Sequence, residues 1–445
     1  MKSKFLSRRA FLGGGTALGL SAYATKAGWT AQAGGSGKPD GLPLKITKIE
    51  AIPLSLPVKP FADGADKTGG NSVPKKYVQA APSNRAVPSK MMAHRDESGN
   101  KLMDYVLVKI HTDKGIVGIG DAPTDSVETL ETVKFMIDRH MAPSLIGLNP
   151  FDIERNNDIV NVMKNGRYVD NHATAAINYA LYDIMGKALN LPISALLGGL
   201  YRTKVLAAIE VPRGTPEAMA AHSLEYYKQG IRGIKAKVGS DPDRDAKSLK
   251  AIREALGDKI SLRADANQGY TIQEAIRLCK LAKDYDVGLE LLEQPTASTD
   301  FDGARRITQA TDIPIEMDES ADSLYQVFQI LKNDTCDLIN TKCSKAGGIS
   351  GVKKWAVVAE SARKTIVIGT EYGLGAVVAA KVILGCTIKN ADPVVEFTEI
   401  MLHDILLKNP LELKDGYIEV PTGPGMGWEF DDAKIEKYRV RDFPK

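Results

Sequence analysis

Cysteine is scarce. The 445 residues hold four, Cys279, Cys336, Cys343 and Cys386, and no two form C-x-x-C. That spacing gives neither a disulfide framework nor a zinc ribbon, so buried thiols are expected. Histidine is also sparse. His94, His111, His140, His172, His222 and His403 include no H-E-x-x-H spacing, which removes the helical zinc-hydrolase pattern. Net charge is small: 58 Lys+Arg against 55 Asp+Glu give +3. Five of those positive charges (Lys2, Lys4, Arg8, Arg9, Lys26) lie in residues 1–33, which carry no acid, so the rest of the chain carries −2. A nearly neutral body excludes a dedicated nucleic-acid binder. The apolar stretch after Arg9 is short and glycine-rich, so stable membrane insertion is not expected. No G-x-G-x-x-G opens an early βα unit. Gly115, Gly118 and Gly120, or Gly373 and Gly375, do not fit it, which removes a nicotinamide-dependent oxidoreductase.

What is present begins with an address. Arg8-Arg9 precede Phe11-Leu12, an apolar stretch to about Ala24, and two A-x-A sites, at Ala22–Ala24 and Ala31–Ala33. Residues 1–33 therefore read as a twin-arginine signal, and a periplasmic or otherwise exported protein is expected. Residues 34–43 read as a linker. Residues 44–200 read as an α+β domain: a strand, the turn-rich and mildly basic segment 59–101, a hairpin over 105–121, then three helical patterns. From 201 to 409 short apolar strands alternate with amphipathic helices. The expected strand ends are Glu210, Lys237, Asp265, Glu293, Asp318, Lys342, Thr370 and Glu396. Their middle intervals are 28, 28, 25 and 24 residues, about one βα unit each, and eight strands make an α/β barrel. Residues 410–445 are expected to pack back on the first domain.

The charges at these strand ends carry the chemistry. In Gly233–Gly239, Lys235 and Lys237 share one strand face, and Ile234, Ala236 and Val238 the other. Packing the apolar set on the helices points both lysines into the barrel mouth. Uncompensated buried ammonium groups are costly. Three consecutive strands then end in Asp265, Glu293 and Asp318. Three converging carboxylates repel one another unless a cation joins them, and hard oxygen ligands select Mg²⁺ or Mn²⁺. The next strand ends at Lys342. Around the ring the order is Lys, Asp, Glu, Asp, Lys.

Lys235-x-Lys237, Asp265-x-Asn267, Glu293-Gln-Pro295, Asp318-Glu-Ser320 and Lys342 before Gly347-Gly348 resemble the enolase superfamily. The match is to its mandelate racemase/muconate lactonising enzyme family, in the muconate cycloisomerase subgroup with two catalytic lysines. The resemblance covers residues 44–440. It implies a modified TIM barrel with an N-terminal α+β capping domain and a specificity loop at 59–101. It implies Mg²⁺ on Asp265, Glu293 and Asp318, and Lys237 and Lys342 as the acid/base pair. The substrate would be a small-molecule carboxylate and the assembly a homo-oligomer. Lys235, together with the charge of the metal, is expected to lower the pKa of Lys237, Asn267 to support the ligands, and Glu371 and Glu396 to face the substrate. Lys345 is expected at the periphery and Glu319 to face away. Strand eight carries Glu396-Phe-Thr-Glu399 rather than the Asp-x-Asp of dipeptide epimerases. Cycloisomerisation is thus the first expectation, racemisation or epimerisation the second, and dehydration the third. A non-catalytic binding protein on the same fold is the far alternative, against which the intact acids and lysines stand.

Overall fold

The computed structural model describes residues 44–59, 94–95, 101–124, 129–162 and 171–441. The signal and linker segments, and nearly all of 59–101, lie outside these residues.

The first part of the chain is a four-stranded antiparallel sheet. β1 (Ile46–Pro57) runs along β3 (Lys101–Thr112), and β2 (His94–Arg95) and β4 (Val117–Pro123) also pair with β3. β3 and β4 are the hairpin expected from the apolar runs around Gly115. The helix Asn171–Leu189 covers the sheet, and two glycines set how closely. A Cβ on Gly118 would stand 2.1 Å from the Ala180 carbonyl oxygen, and one on Gly120 2.0 Å from that of Ala176. These glycines serve helix–strand contact rather than phosphate binding. Gly120→Ala is expected to destabilise the fold by roughly 2–3 kcal/mol, the usual cost of overpacking where backbone must move. Urea unfolding followed by circular dichroism measures this.

Eight parallel strands follow, each leading into a helix-bearing connection. They are β5 (Lys204–Val211), β6 (Gly233–Lys237), β7 (Ser261–Asp265), β8 (Leu292–Glu293), β9 (Ile315–Met317), β10 (Leu338–Thr341), β11 (Thr365–Ile368) and β12 (Val394–Glu396). They pair in chain order from β5 to β11, and β12 returns beside β5. Backbone bonds from Ile366 to Asn390 and from Asp392 to Ile366 join the last two neighbours. The sheet is thus the α/β barrel expected from the spacing. Amphipathic helices cover it. Ile272–Asp284, opened by a Thr271/Glu274 capping box, buries Ala275, Leu278, Cys279 and Ala282. All four cysteines are free and buried.

The C-terminal segment divides. β13 (Tyr417–Glu419) pairs antiparallel with β5 of the barrel. The residues after it return to the first domain, through the Met426 N–H on Asp183, a Lys109–Asp432 ion pair, a Leu54–Arg439 bridge and the Val440 N–H on the Pro53 carbonyl. Side chains also lock the sheet to the barrel. Tyr105 of β3 meets His403 Nε2 at 2.6 Å across the boundary. Burial lowers the His403 pKa, and its neighbours do not restore it. The fold therefore disfavours the protonated ring. Stability should be full above the ordinary histidine pKa of about 6.5 and fall on acidification below it, by at most ~1.4 kcal/mol per pH unit for this group. Urea midpoints between pH 7.5 and 5.5 should fall less steeply in His403→Gln than in the wild type.

Candidate active site

The C-terminal ends of the barrel strands form one charged layer, placed by register. Lys237 lies opposite Asp265, Asp265 opposite Glu293, and Glu293 opposite Glu316. Lys235 and Lys237 point inward on β6, as the alternation requires, and both are buried. β6 and β10 are four strands apart in a ring of eight, so Lys237 and Lys342 stand on opposite sides of the mouth.

Each carboxylate expected to ligate a cation is taken up by lysine. Lys237 Nζ is 2.6 Å from Asp265 Oδ2, and Lys235 Nζ is 2.9 Å from Glu293 Oε2. Asp318 receives Lys342 on one oxygen and Lys345 on the other, each at 2.6 Å. Among the described residues no three Asp, Glu, His or Cys side chains stand ready-clustered for a metal ion. Donor chemistry nevertheless fits a hard divalent cation. Burial and the adjacent Asp265 push the Glu293 carboxyl well above its ordinary range, outweighing Lys235. Asn267 Oδ1 and Glu319 Oε2 are buried without a hydrogen-bond partner. This is a negative, oxygen-rich layer whose present countercharge is ammonium. Asp265, Glu293 and Asp318 are the residues that would hold the ion.

The motifs have local reasons. The Asn267 N–H donates to Asp265 Oδ1 at 2.8 Å, fixing that carboxylate from two residues on. Gln294 of Glu-Gln-Pro accepts the N–H groups of Asp318 and Ser320, so one strand end orients the next.

The structure corrects two expectations, for Lys345 and Glu319, and adds partners to the others. In this structure the Lys237 pKa is raised. Burial and Lys235 do push it down, but Asp265 and Glu210 outweigh them. Lys342 is raised for the same reason, by Asp318 and Glu319 against burial. Its side chain is 31% exposed against 11% for Lys237, making it the more accessible of the two. Lys345 is not peripheral. The turn after β10, closed by the Ala346 N–H on the Lys342 carbonyl, brings positions 342 and 345 to the same carboxylate. Glu319 does not face away. β9 ends at Met317, so strand alternation stops before it, and it meets Asn267 Nδ2 at 3.3 Å. Glu371 is engaged by Ser344, whose N–H it accepts at 2.6 Å. Glu396 is engaged by Lys235 at 2.6 Å and the Thr370 N–H at 3.0 Å.

Two charged neighbours of these residues were missed. Glu210, at the end of β5, lies 2.6 Å from Lys237 Nζ and accepts from Tyr372 Oη at 2.5 Å. Burial would raise the Glu210 pKa, but Lys237 and Lys235 bring it down to about 2. Its position as a charged strand end was the available signal. Glu316, opposite Glu293, is pushed up to about 8 by burial and by Glu396.

Residues 218–434 match the family described as enolase C-terminal domain-like, and residues 76–198 match the mandelate racemase/muconate lactonizing enzyme N-terminal domain. The chain is 33% identical to the L-Ala-D/L-Glu epimerase of Bacillus subtilis over 330 residues, 73% of this chain and 88% of that one. It is 30% identical to muconate cycloisomerase 1 of Pseudomonas putida over 366 residues, 80% and 94% of the two. The crystal structure of N-succinyl Arg/Lys racemase from Bacillus cereus matches with a TM-score of 0.75 at 27% identity, over 89% of this chain and 98% of that one.

Proposed function

Because the chain belongs to the mandelate racemase/muconate lactonizing enzyme family of the enolase superfamily, whose matched members are isomerases, we propose that it isomerises a small carboxylic acid through its enediolate. Enzymes of this family are generally dependent on a divalent metal. The reading takes that metal to be Mg²⁺, with Mn²⁺ as substitute, held by Asp265, Glu293 and Asp318. When bound, the ion stabilises the negative charge that develops on the substrate carboxylate. The protein's own part is proton transfer. Lys237, once released from Asp265 and with its own proton given up to solvent, takes the α-proton on one face as the neutral amine. Lys342 holds or delivers a proton on the other.

The observation that carries this reading is the placement of two lysines across the ring with the carboxylates between them. That geometry supports racemisation or epimerisation best, because the proton leaves one face and returns on the other. Cycloisomerisation is the second reading. It needs one lysine as acid, to protonate the carbon left negative when the substrate's second carboxylate adds to the double bond. The strand-eight sequence favours it, since Glu396 is bound to Lys235 and there is no Asp-x-Asp for a substrate ammonium. Incubation with a panel of carboxylic acids in D₂O and Mg²⁺, read by NMR, tests the proposal. Metal-dependent α-deuterium uptake supports it, and the product separates the two readings. A protein that neither binds Mg²⁺ in calorimetry nor exchanges any α-proton refutes it.

The reading also places the enzyme outside the cytoplasm, on the strength of Arg8-Arg9 and the stretch that follows. Arg8→Lys with Arg9→Lys is expected to retain most of the protein in the cytoplasmic fraction. Unchanged export in that variant would remove the twin-arginine assignment. Among the described residues, no helix is long and apolar enough to cross a membrane.

A further inference from the structure

A strained residue stands one step from Lys237. Tyr372 has φ +55°, a left-handed conformation that a bulky side chain adopts only at a cost. Its hydroxyl donates to one oxygen of Glu210, and the other oxygen of Glu210 receives Lys237 Nζ. The turn that carries it is held on both sides. Before it, Glu371 accepts the Ser344 N–H. After it, the holding group comes from the first domain. Asp121 of β4, fully buried, accepts the N–H groups of Leu374 at 2.7 Å, Ala376 at 2.8 Å and Val377 at 3.1 Å.

Those donors open the helix Gly375–Thr387, whose own N-cap residue supplies no side-chain bond. Such N–H groups need an outside acceptor when buried. Asp121 supplies it from 253 residues away in the chain. The arrangement is costly: burial drives the Asp121 carboxyl up to about 7, although the three N–H groups pull it down. A neutral cap from the helix's own sequence would satisfy the same donors without that cost. What an anchor in β4 adds is a fixed position for the Tyr372 turn relative to the capping sheet.

We propose that Asp121 is a positioning residue for proton transfer: through the Tyr372 turn and Glu210, the capping domain fixes where Lys237 stands. This rests on the reading of Lys237 as an acid/base group. Alignment is what such a relay controls, and a misplacement of about 1 Å can cost ~100-fold in rate.

The test has two arms. The first needs no substrate: hydrogen–deuterium exchange of the peptide over residues 370–378, followed by mass spectrometry. Asp121→Asn keeps one acceptor oxygen but turns an amide toward the remaining N–H. Glu210→Ala lies on another strand. The relay requires that both speed exchange of the Leu374–Val377 amides at least ~5-fold, since each removes one anchor of the same turn. Tyr372→Phe replaces Glu210→Ala if the latter does not fold. Unchanged amides on removal of the Glu210 contact overturn the relay. The second arm is kinetic, on an acid that the wild type turns over. Asp121→Asn and Tyr372→Phe should each lower kcat by ~10- to 100-fold with KM nearly constant. Their combination should be no worse than the poorer single variant. Losses that multiply would mean independent structural damage and overturn the proposal. A wild-type protein that exchanges no α-proton contradicts the proposed function instead, and the amide arm still decides the relay.

Discussion

Lys237→Ala is expected to lower turnover by ~10²- to 10⁴-fold, the range for removal of a positioned general acid or base. Lys342→Ala should fall in the same range. The structure allows this loss to be separated from unfolding. Lys237 stands between Asp265 and Glu210, each at 2.6 Å, so its removal leaves two buried carboxylates without that partner. Breaking a buried pair typically costs about 3–5 kcal/mol. Lys235 lessens the damage, at 3.6 Å from Glu210 and 3.9 Å from Asp265. Lys342→Ala is milder, because Lys345 stays on Asp318. The two variants should therefore differ in melting temperature yet lose activity alike. Kinetics and thermal unfolding on the same preparations check both statements. A loss of activity that simply tracks melting temperature would make the lysines structural.

Glu293→Gln is expected to abolish stabilisation by metal while leaving the metal-free fold intact. In the wild type, Mg²⁺ at 1,000 times its Kd should raise the unfolding free energy by about 4 kcal/mol through linkage alone. The variant should gain close to nothing at the same concentration. The metal-free variant should be at least as stable as the wild type, because burial and Asp265 already disfavour the Glu293 carboxylate. Lys235 keeps Glu396 as its partner. Unfolding with and without Mg²⁺ measures both effects, independently of any substrate. Equal metal stabilisation in the two proteins would remove Glu293 from the ligand set.

The barrel was legible because charge interrupts its apolar strands at regular intervals. Lys237, Asp265, Glu293 and Glu396 are the final residues of β6, β7, β8 and β12. The orientation of Lys235 and Lys237 followed from strand alternation alone. Alternation failed where strands stopped. Glu319 and Lys345 sit in turns, and their direction is set by backbone bonds that no periodicity encodes. The lowering by Lys235 was readable from two residues away, but the opposing pull of Glu210 was not, because the barrel brings Glu210 in from the neighbouring strand. Tyr372 and Asp121 were equally hidden: their partners lie 162 and 253–256 residues away. The segment 59–101, expected to govern specificity, lies almost wholly outside the described residues.

The most direct test of the two-lysine account is stereochemically resolved deuterium exchange. Each antipode of a substrate acid is incubated separately in D₂O and Mg²⁺ with wild type, Lys237→Ala and Lys342→Ala, and α-deuteration is followed by NMR. Wild type should exchange both antipodes. Each variant should exchange only the antipode whose α-proton faces its remaining lysine, and the two variants should have opposite preferences. Exchange of both antipodes in either variant, or the same preference in both, would contradict the placement of Lys237 and Lys342 as bases on opposite faces.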